Sequence, residues 1–169
     1  SSSAGTTTCS TATATSGDWP MYRHDLAGTG FSPLAQITAA NVATLTQAWT
    51  YSLQGDASTA PAGRGGAGTG VNSQATPIVV NGVMYMPAGN RIVALEPETG
   101  KEVWRYDLKE GRASFRGVAY WPGEGAIPPR IIFTSAKKLI ALNASNGTPA
   151  TGFGTNGEQD IQIGFAGIP

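Results

Sequence analysis

The chain has 169 residues, enough for one domain with a core of its own. Charged residues are only 13%, about half the roughly 25% usual for soluble domains, and 23 Gly and 11 Pro favour a turn-rich all-β chain over helices. Eleven Lys plus Arg balance eleven Asp plus Glu, so nothing in the charge points to nucleic acid or an anionic membrane as partner.

Residues 1–16, SSSAGTTTCSTATATS, are low-complexity Ser/Thr/Ala. They offer too little apolar surface to offset the entropy of ordering, so they are expected to form a disordered leader, with order beginning near Gly17-Asp-Trp19. The single cysteine, Cys9, lies in this leader and allows neither an intrachain disulfide nor a cysteine-based metal site. No apolar run approaches the roughly 18 residues of a membrane span. His24, the only histidine, sits in Tyr-Arg-His-Asp25 and has no second ligand at metal-site spacing, so it is expected to be structural.

Further along, Thr38 is placed to cap a short helix over 39–45, with Ile37 and Val42 as a hydrophobic staple. A strand, Gln47–Leu53, is expected after it. Residues 54–72 contain GRGGAGTG. No strand feeds this stretch, no helix follows it and no Lys-Ser or Lys-Thr closes it, so it predicts a loop rather than a phosphate cradle.

From Gln74 onward the strand signal is continuous. Ala75–Val80, Val83–Pro87, Arg91–Leu95 and Glu102–Tyr106 are apolar or alternating runs. Asn81-Gly82, Ala88-Gly-Asn90 and Pro97-Glu-Thr-Gly100 separate them as tight turns. Four strands so joined predict one antiparallel meander. Sliding the downstream stretch Arg130–Gly147 back by 47 residues puts Lys138 on Arg91, Leu139 on Ile92, Ile140 on Val93, Ala141 on Ala94, Leu142 on Leu95 and Gly147 on Gly100. The unit therefore repeats, at a period in the range of propeller blades. Trp104 falls on Thr151, so the second copy loses the pattern at its end. A blade cannot bury both faces alone, which predicts an all-β fold of about two four-stranded antiparallel blades of a larger β-propeller, with a short N-terminal helix. Trp49 and Trp104 are expected to be packing residues, and Trp19 and Trp121 the same.

Ala94-Leu95 through Thr99-Gly100-Lys101 to Trp104 resembles the tryptophan-docking repeat of the pyrroloquinoline quinone (PQQ) dehydrogenases. The opening segment resembles the start of their mature chains in Asp18-Trp19, Tyr22, Gly28, Phe31-Ser-Pro-Leu34, Gln36-Ile37, Asn41-Val42, Leu45 and Ala48-Trp49. So does Arg116-Gly-Val-Ala-Tyr-Trp-Pro-Gly123. The resemblance implies an eight-bladed quinoprotein that oxidises a sugar or alcohol with PQQ and calcium. It also implies electron delivery to a cytochrome or quinone, and a periplasmic or extracellular location. Residue by residue it implies two cofactor contacts. Arg116 matches an arginine that meets the quinone, and Gln74 stands where the family often has a cofactor-contacting Glu. Without the resemblance, Arg116 is a loop arginine placed to pair with Glu110 or Glu124, and Gln74 is a polar residue at a strand start. The adjacent cysteines of the alcohol enzymes are missing from Lys109–Phe115, which leans toward sugar-oxidising or other branches. No position here matches the family's catalytic Asp or its calcium ligands. Residues 17–169 are thus expected to be the N-terminal part of such a propeller, completed by further blades. The alternative is a non-catalytic propeller of the same repeat serving as an assembly scaffold.

Overall fold

The structure is a computed structural model, and it describes residues 17–53, 74–114 and 116–162. The leader 1–16 and the glycine-rich loop 54–72 lie outside the described residues. Eight strands follow in chain order: β1 (Ile78–Val80), β2 (Val83–Ala88), β3 (Arg91–Leu95), β4 (Glu102–Asp107), β5 (Ala119–Trp121), β6 (Arg130–Ser135), β7 (Lys138–Asn143) and β8 (Glu158–Asp160). They form two antiparallel four-stranded sheets, ordered β1-β2-β3-β4 and β5-β6-β7-β8. Each strand pairs with its sequence neighbour, as the short turns dictate. Asn81 and Gly82 both adopt positive φ, the geometry of a two-residue hairpin whose twist matches the flanking strands.

The repeat register holds where the two copies align. Tyr85 pairs with Ala94 in the first sheet, and Ile132 pairs with Ala141 in the second. It breaks after the turn glycine. Glu102 opens β4 two positions after Gly100, whereas Glu158 opens β8 eleven positions after Gly147. The intervening residues fold back on themselves through Gly157–Phe153 and Thr155–Glu158 backbone bonds. The residue opposite Ala141 is thus near Gly157, whose carbonyl accepts the Ala141 amide at 2.9 Å, and Thr151 does not take the place of Trp104.

β3 explains how the sheets stack. All five of its residues are buried. Side chains alternate between the two faces of a strand. Ile92 and Ala94 join the main core with Ile78, Tyr85, Phe133 and Leu142, between the sheets. Val93 and Leu95 face the other way, into a second cluster with Trp49, Tyr51 and Leu53. A strand buried on both faces belongs to a middle layer, as a propeller blade between two neighbours does.

Two expectations for the N-terminal segment fail. The helix over 39–45 shrinks to one 3₁₀ turn, Val42–Thr44, with no side-chain cap from Thr38. The Asn41 carboxamide accepts the Thr38 amide at 2.7 Å and donates to the Gln36 carbonyl at 2.7 Å. Such side-chain-to-backbone bonds compete with helical pairing, and a seven-residue helix has little cooperativity to resist them. Ile37 and Val42 are exposed, so no staple forms. The strand Gln47–Leu53 belongs to neither sheet. It lies instead across the outer face of the first sheet. Arg91, itself buried, donates from Nη2 to the Ser52 carbonyl at 3.2 Å, and its guanidinium lies 5.8 Å from the centre of the Tyr51 ring. The preceding strap carries a row of exposed apolar side chains, among them Tyr22 at 71%, Leu26 at 95%, Phe31 at 67%, Ile37 at 64% and Leu45 at 57%. Among the described residues no helix is long and apolar enough to cross a membrane.

The junction between the sheets is built on Trp104. Its indole Nε1 donates to the Ala144 carbonyl at 2.9 Å, and the Tyr85 hydroxyl donates to the same oxygen at 3.2 Å. The ring lies on Gly147, where a β-carbon would stand 2.5 Å from Trp104 Cε3. Gly147 also has φ +70°, so the position favours glycine twice over. Gly147→Ala is expected to cost about 2–4 kcal/mol, combining left-handed strain with overpacking against the indole. Gly82→Ala, at a similar φ but with open space around it, should cost only about 1 kcal/mol. Urea unfolding of the two variants checks this, and equal losses would remove the docking contribution.

Burial, with a smaller push from Tyr120, raises the Tyr85 phenol to about 12. An unfolded chain loses this proton near 10, so the stability contributed by the neutral phenol is complete below pH 10. It drains away as pH rises toward 12. Folding stability is expected to fall across that window, and Tyr85→Phe, which has no phenol to ionise, should flatten the fall. Unfolding midpoints at pH 9 and pH 11.5 give the comparison.

Candidate functional site

β1 and β5 are the first strands of their sheets, and they are the strands through which the two sheets meet most directly. Each leaves one edge unpaired by its own sheet. In a blade arrangement these first strands face the propeller axis. Their leading ends lie on one rim. Gly117, at φ +127°, comes so close to Thr76 that a β-carbon on it would stand 3.7 Å from the Thr76 carbonyl. Arg116 precedes Gly117, and Gln74 lies two residues before Thr76. The segments that carry the two residues singled out in the sequence, one leading into each sheet, therefore approach one another at Gly117 and Thr76. Arg116 and Gln74 are both exposed. The Arg116 amide donates to Ser114 Oγ at 3.3 Å, which fixes the backbone from which the guanidinium extends.

The inner edge of β1 is covered by the opening segment. Trp19 and Val79 exchange two backbone bonds, at 2.7 and 2.9 Å. The pairing is antiparallel, so the segment runs from the Asn81 turn back toward the leading end of β1. Asp18, buried, accepts the Asn81 amide on Oδ1 at 3.0 Å. Burial and then the Asp18 carboxylate push the Tyr120 phenol of β5 above its ordinary range. The Trp19 ring lies against His24, centroids 4.9 Å apart, and His24 Nδ1 is 3.7 Å from the Asp25 carboxylate. Asp25 is itself held by Thr29, whose hydroxyl and amide both bond to it and draw its carboxyl below the usual range. His24 is thus part of a turn, as its sequence context suggests. Trp121 stacks under the Arg130 guanidinium, 5.4 Å from the ring centre. It too is a packing residue.

Chemically, the rim offers a guanidinium and a carboxamide. A planar guanidinium presents fixed donors to carboxylate or carbonyl oxygens, and a carboxamide can donate and accept. That donor set fits a group bearing several carboxylates and quinone carbonyls. It does not fit a calcium ion, which takes six to eight oxygen ligands. Among the described residues no three His, Cys, Asp or Glu side chains gather where they could hold a metal.

Sequence reasoning missed one relation. Trp49-Thr-Tyr51-Ser-Leu53 copies Trp104-Arg-Tyr106-Asp-Leu108 at an offset of 55. The structure gives both tryptophans the same role. Trp49 Nε1 donates to the Pro97 carbonyl at 3.0 Å, and a β-carbon on Gly100 would stand 2.5 Å from its ring. Pro97 and Gly100 correspond to Ala144 and Gly147 in the 47-residue register. The Trp-x-Tyr-x-Leu pattern was the available signal.

Comparison with known proteins gives one consistent result. The family described as glucose/ethanol/alcohol dehydrogenase, β-propeller domain (PQQ), matches residues 19–168. Quinoprotein glucose dehydrogenase A of Acinetobacter calcoaceticus is 34% identical over an alignment covering 86% of this chain and 20% of that protein. Quinohemoprotein alcohol dehydrogenase of Comamonas testosteroni is 36% identical, over 77% of this chain and 17% of its own. Among solved structures, quinohemoprotein alcohol dehydrogenase ADHIIG of Pseudomonas putida HK5 superposes with a TM-score of 0.59 and 29% identity, over 78% of this chain and 18% of that one. A europium-containing methanol dehydrogenase gives 0.57 and 26%, over 79% and 22%. The chain spans about a fifth of the length of the curated relatives it matches.

Proposed function

The chain belongs to the β-propeller domain family of the glucose, ethanol and alcohol dehydrogenases, and from that premise we propose that it is the N-terminal portion of a PQQ-dependent dehydrogenase that oxidises a sugar or an alcohol. The observation that supports the proposal beyond family membership is the approach of Gly117, next to Arg116, to Thr76, two residues after Gln74. Relatives bearing the names glucose, glycerol and butanol dehydrogenase, the last with cytochrome c as partner, support the substrate class and the acceptor. A cytochrome or quinone acceptor outside the cytoplasm, in the periplasm or beyond the cell, belongs to the same proposal.

PQQ, when bound, supplies a quinone that accepts the substrate's electrons. Arg116 would hold its acidic or carbonyl oxygens through charge-assisted bonds. Gln74 would hold a second edge from the neighbouring blade without adding charge. Asp18, Trp19 and the Asn81 turn would keep the inner edge of the first blade closed, so that the rim keeps its shape. The metal, calcium or a lanthanide, would take its ligands from the rest of the protein, because the described residues here provide no such group. The general base would come from there too.

The test uses the longest natural form of the protein, freed of cofactor and titrated with PQQ. Arg116→Ala is expected to weaken PQQ binding about ten- to hundredfold, the value of one or two charge-assisted bonds. Gln74→Ala should weaken it about three- to tenfold. Unchanged binding in Arg116→Ala would remove the site assignment. Dye reduction with PQQ, with and without calcium, tests the reaction itself. Failure with every sugar and alcohol would leave a non-catalytic scaffold as the better account.

A further inference from the structure

Three Asn-Gly pairs occur in the chain, Asn81-Gly82, Asn146-Gly147 and Asn156-Gly157. Such a pair is chemically reactive in an open chain. The amide nitrogen after an asparagine can reach the side-chain carbonyl carbon, and glycine puts no side chain in the way. The fold treats the three pairs differently. Gly147 is buried under the Trp104 indole, and its amide donates to the Asn143 carbonyl at 2.9 Å. The Asn146 carboxamide oxygen is also held, by the Thr148 amide at 3.0 Å and the Thr148 hydroxyl at 2.8 Å. Gly157 is buried too, and its amide donates to the Phe153 carbonyl at 3.0 Å. Asn81 and Gly82, by contrast, are both exposed. Among the described residues neither the Gly82 amide nor the Asn81 carboxamide has a hydrogen-bond partner. No atom beyond its chain neighbours lies within 4 Å of where a Gly82 β-carbon would stand, so the peptide between the two residues has room to turn.

We propose that Asn81 is a modification site, the one Asn-Gly pair of the folded chain that deamidates spontaneously, with water as the only co-reactant. The Gly82 amide nitrogen gives up its proton and bonds to Asn81 Cγ. The Cγ–Nδ2 bond breaks, and ammonia leaves with that proton. The product is a five-membered cyclic imide. Water then adds to one of the two ring carbonyls. Opening at Cγ gives aspartate at position 81, and opening at the main-chain carbonyl gives isoaspartate, whose backbone is longer by one carbon. No electron is gained or lost.

The position gives the change a structural consequence. The Asn81 amide is the group that the buried Asp18 carboxylate holds, at 3.0 Å. Either product puts a second carboxylate on that residue, and like charges at short range repel. Isoaspartate also lengthens a two-residue turn whose register suits two ordinary residues. The opening segment, tied to β1 by the Trp19–Val79 bonds beside this turn, is therefore loosened.

The longest natural form of the protein, incubated in mildly alkaline buffer and then digested, gives the test. Peptide masses report the Asn-to-Asp increase, and an isoaspartyl methyltransferase labels the isoaspartate. Asn81 is expected to convert at least about tenfold faster than Asn146 or Asn156, whose glycine amides must first open. In denaturant, where each asparagine is followed by glycine and nothing else is fixed, the three rates should agree within about threefold. Equal rates in the folded protein, or faster conversion at Asn146 or Asn156, overturn the proposal. So does an Asn81 that survives in the folded protein and converts only when unfolded. Unfolded rates that differ as the folded ones do remove the fold as the cause. The converted protein, separated by its added negative charge, should exchange the Trp19 and Val79 amides several-fold faster. Unchanged exchange overturns the link to Asp18.

Discussion

The constraint on which this structure depends is an indole laid flat on a glycine. The turn glycine can have no side chain, because the ring occupies the space a β-carbon would fill, at 2.5 Å for both Gly100 and Gly147. The indole nitrogen must then find an acceptor, since an unpaired buried donor is costly. It finds the carbonyl three residues before the glycine in each case, at Pro97 and at Ala144. One side chain thus fixes distance, angle and register between successive layers. Ala144 accepts a second bond from Tyr85, so the same oxygen ties an outer strand and an inner-layer strand of one sheet to the next.

Alternation does the rest. β3 sends Ile92 and Ala94 to one neighbour and Val93 and Leu95 to the other. A strand with no polar face has no reason to sit at a surface, and the positions that dock on it are where the layers repeat. The inner strands β1 and β5 are short, three residues each. Their leading ends are loops, and it is on these loops that Gln74 and Arg116 stand. A rigid stack that presents loops at the ends of its strands suits binding better than it suits any one chemistry.

How much of this was legible in the sequence follows from how local each signal is. The meander from Ile78 to Asp107 was legible because alternation and Asn81-Gly82 are short-range signals. The second sheet was legible only through its copy of β3, and β8 was missed because the excursion after Gly147 displaces it from the repeat register. The helix over 39–45 was over-read, since Asn41 supplied bonds that propensity arguments do not count. The strand Gln47–Leu53 was over-read too, since its alternating apolar side chains Trp49, Tyr51 and Leu53 pack on Ala88, Val93 and Leu95 without joining either sheet. Arg116 and Gln74 carry no periodicity at all. Only resemblance could single them out, and the structure adds the approach of their neighbours Gly117 and Thr76.

Every sheet pairing here joins strands adjacent in sequence. Contacts of that kind close quickly, because little chain entropy is lost before each one is rewarded. The two blades can then form one after another as the chain leaves the ribosome, each completed blade offering the glycine turn on which the previous tryptophan settles. Trp49 breaks this order. It is made before the first blade, and it docks on that blade at once through Pro97 and Gly100. That bond spans 48 residues, so the fast, local pairing within each sheet would be followed by one longer-range step, the laying of this segment onto the finished blade.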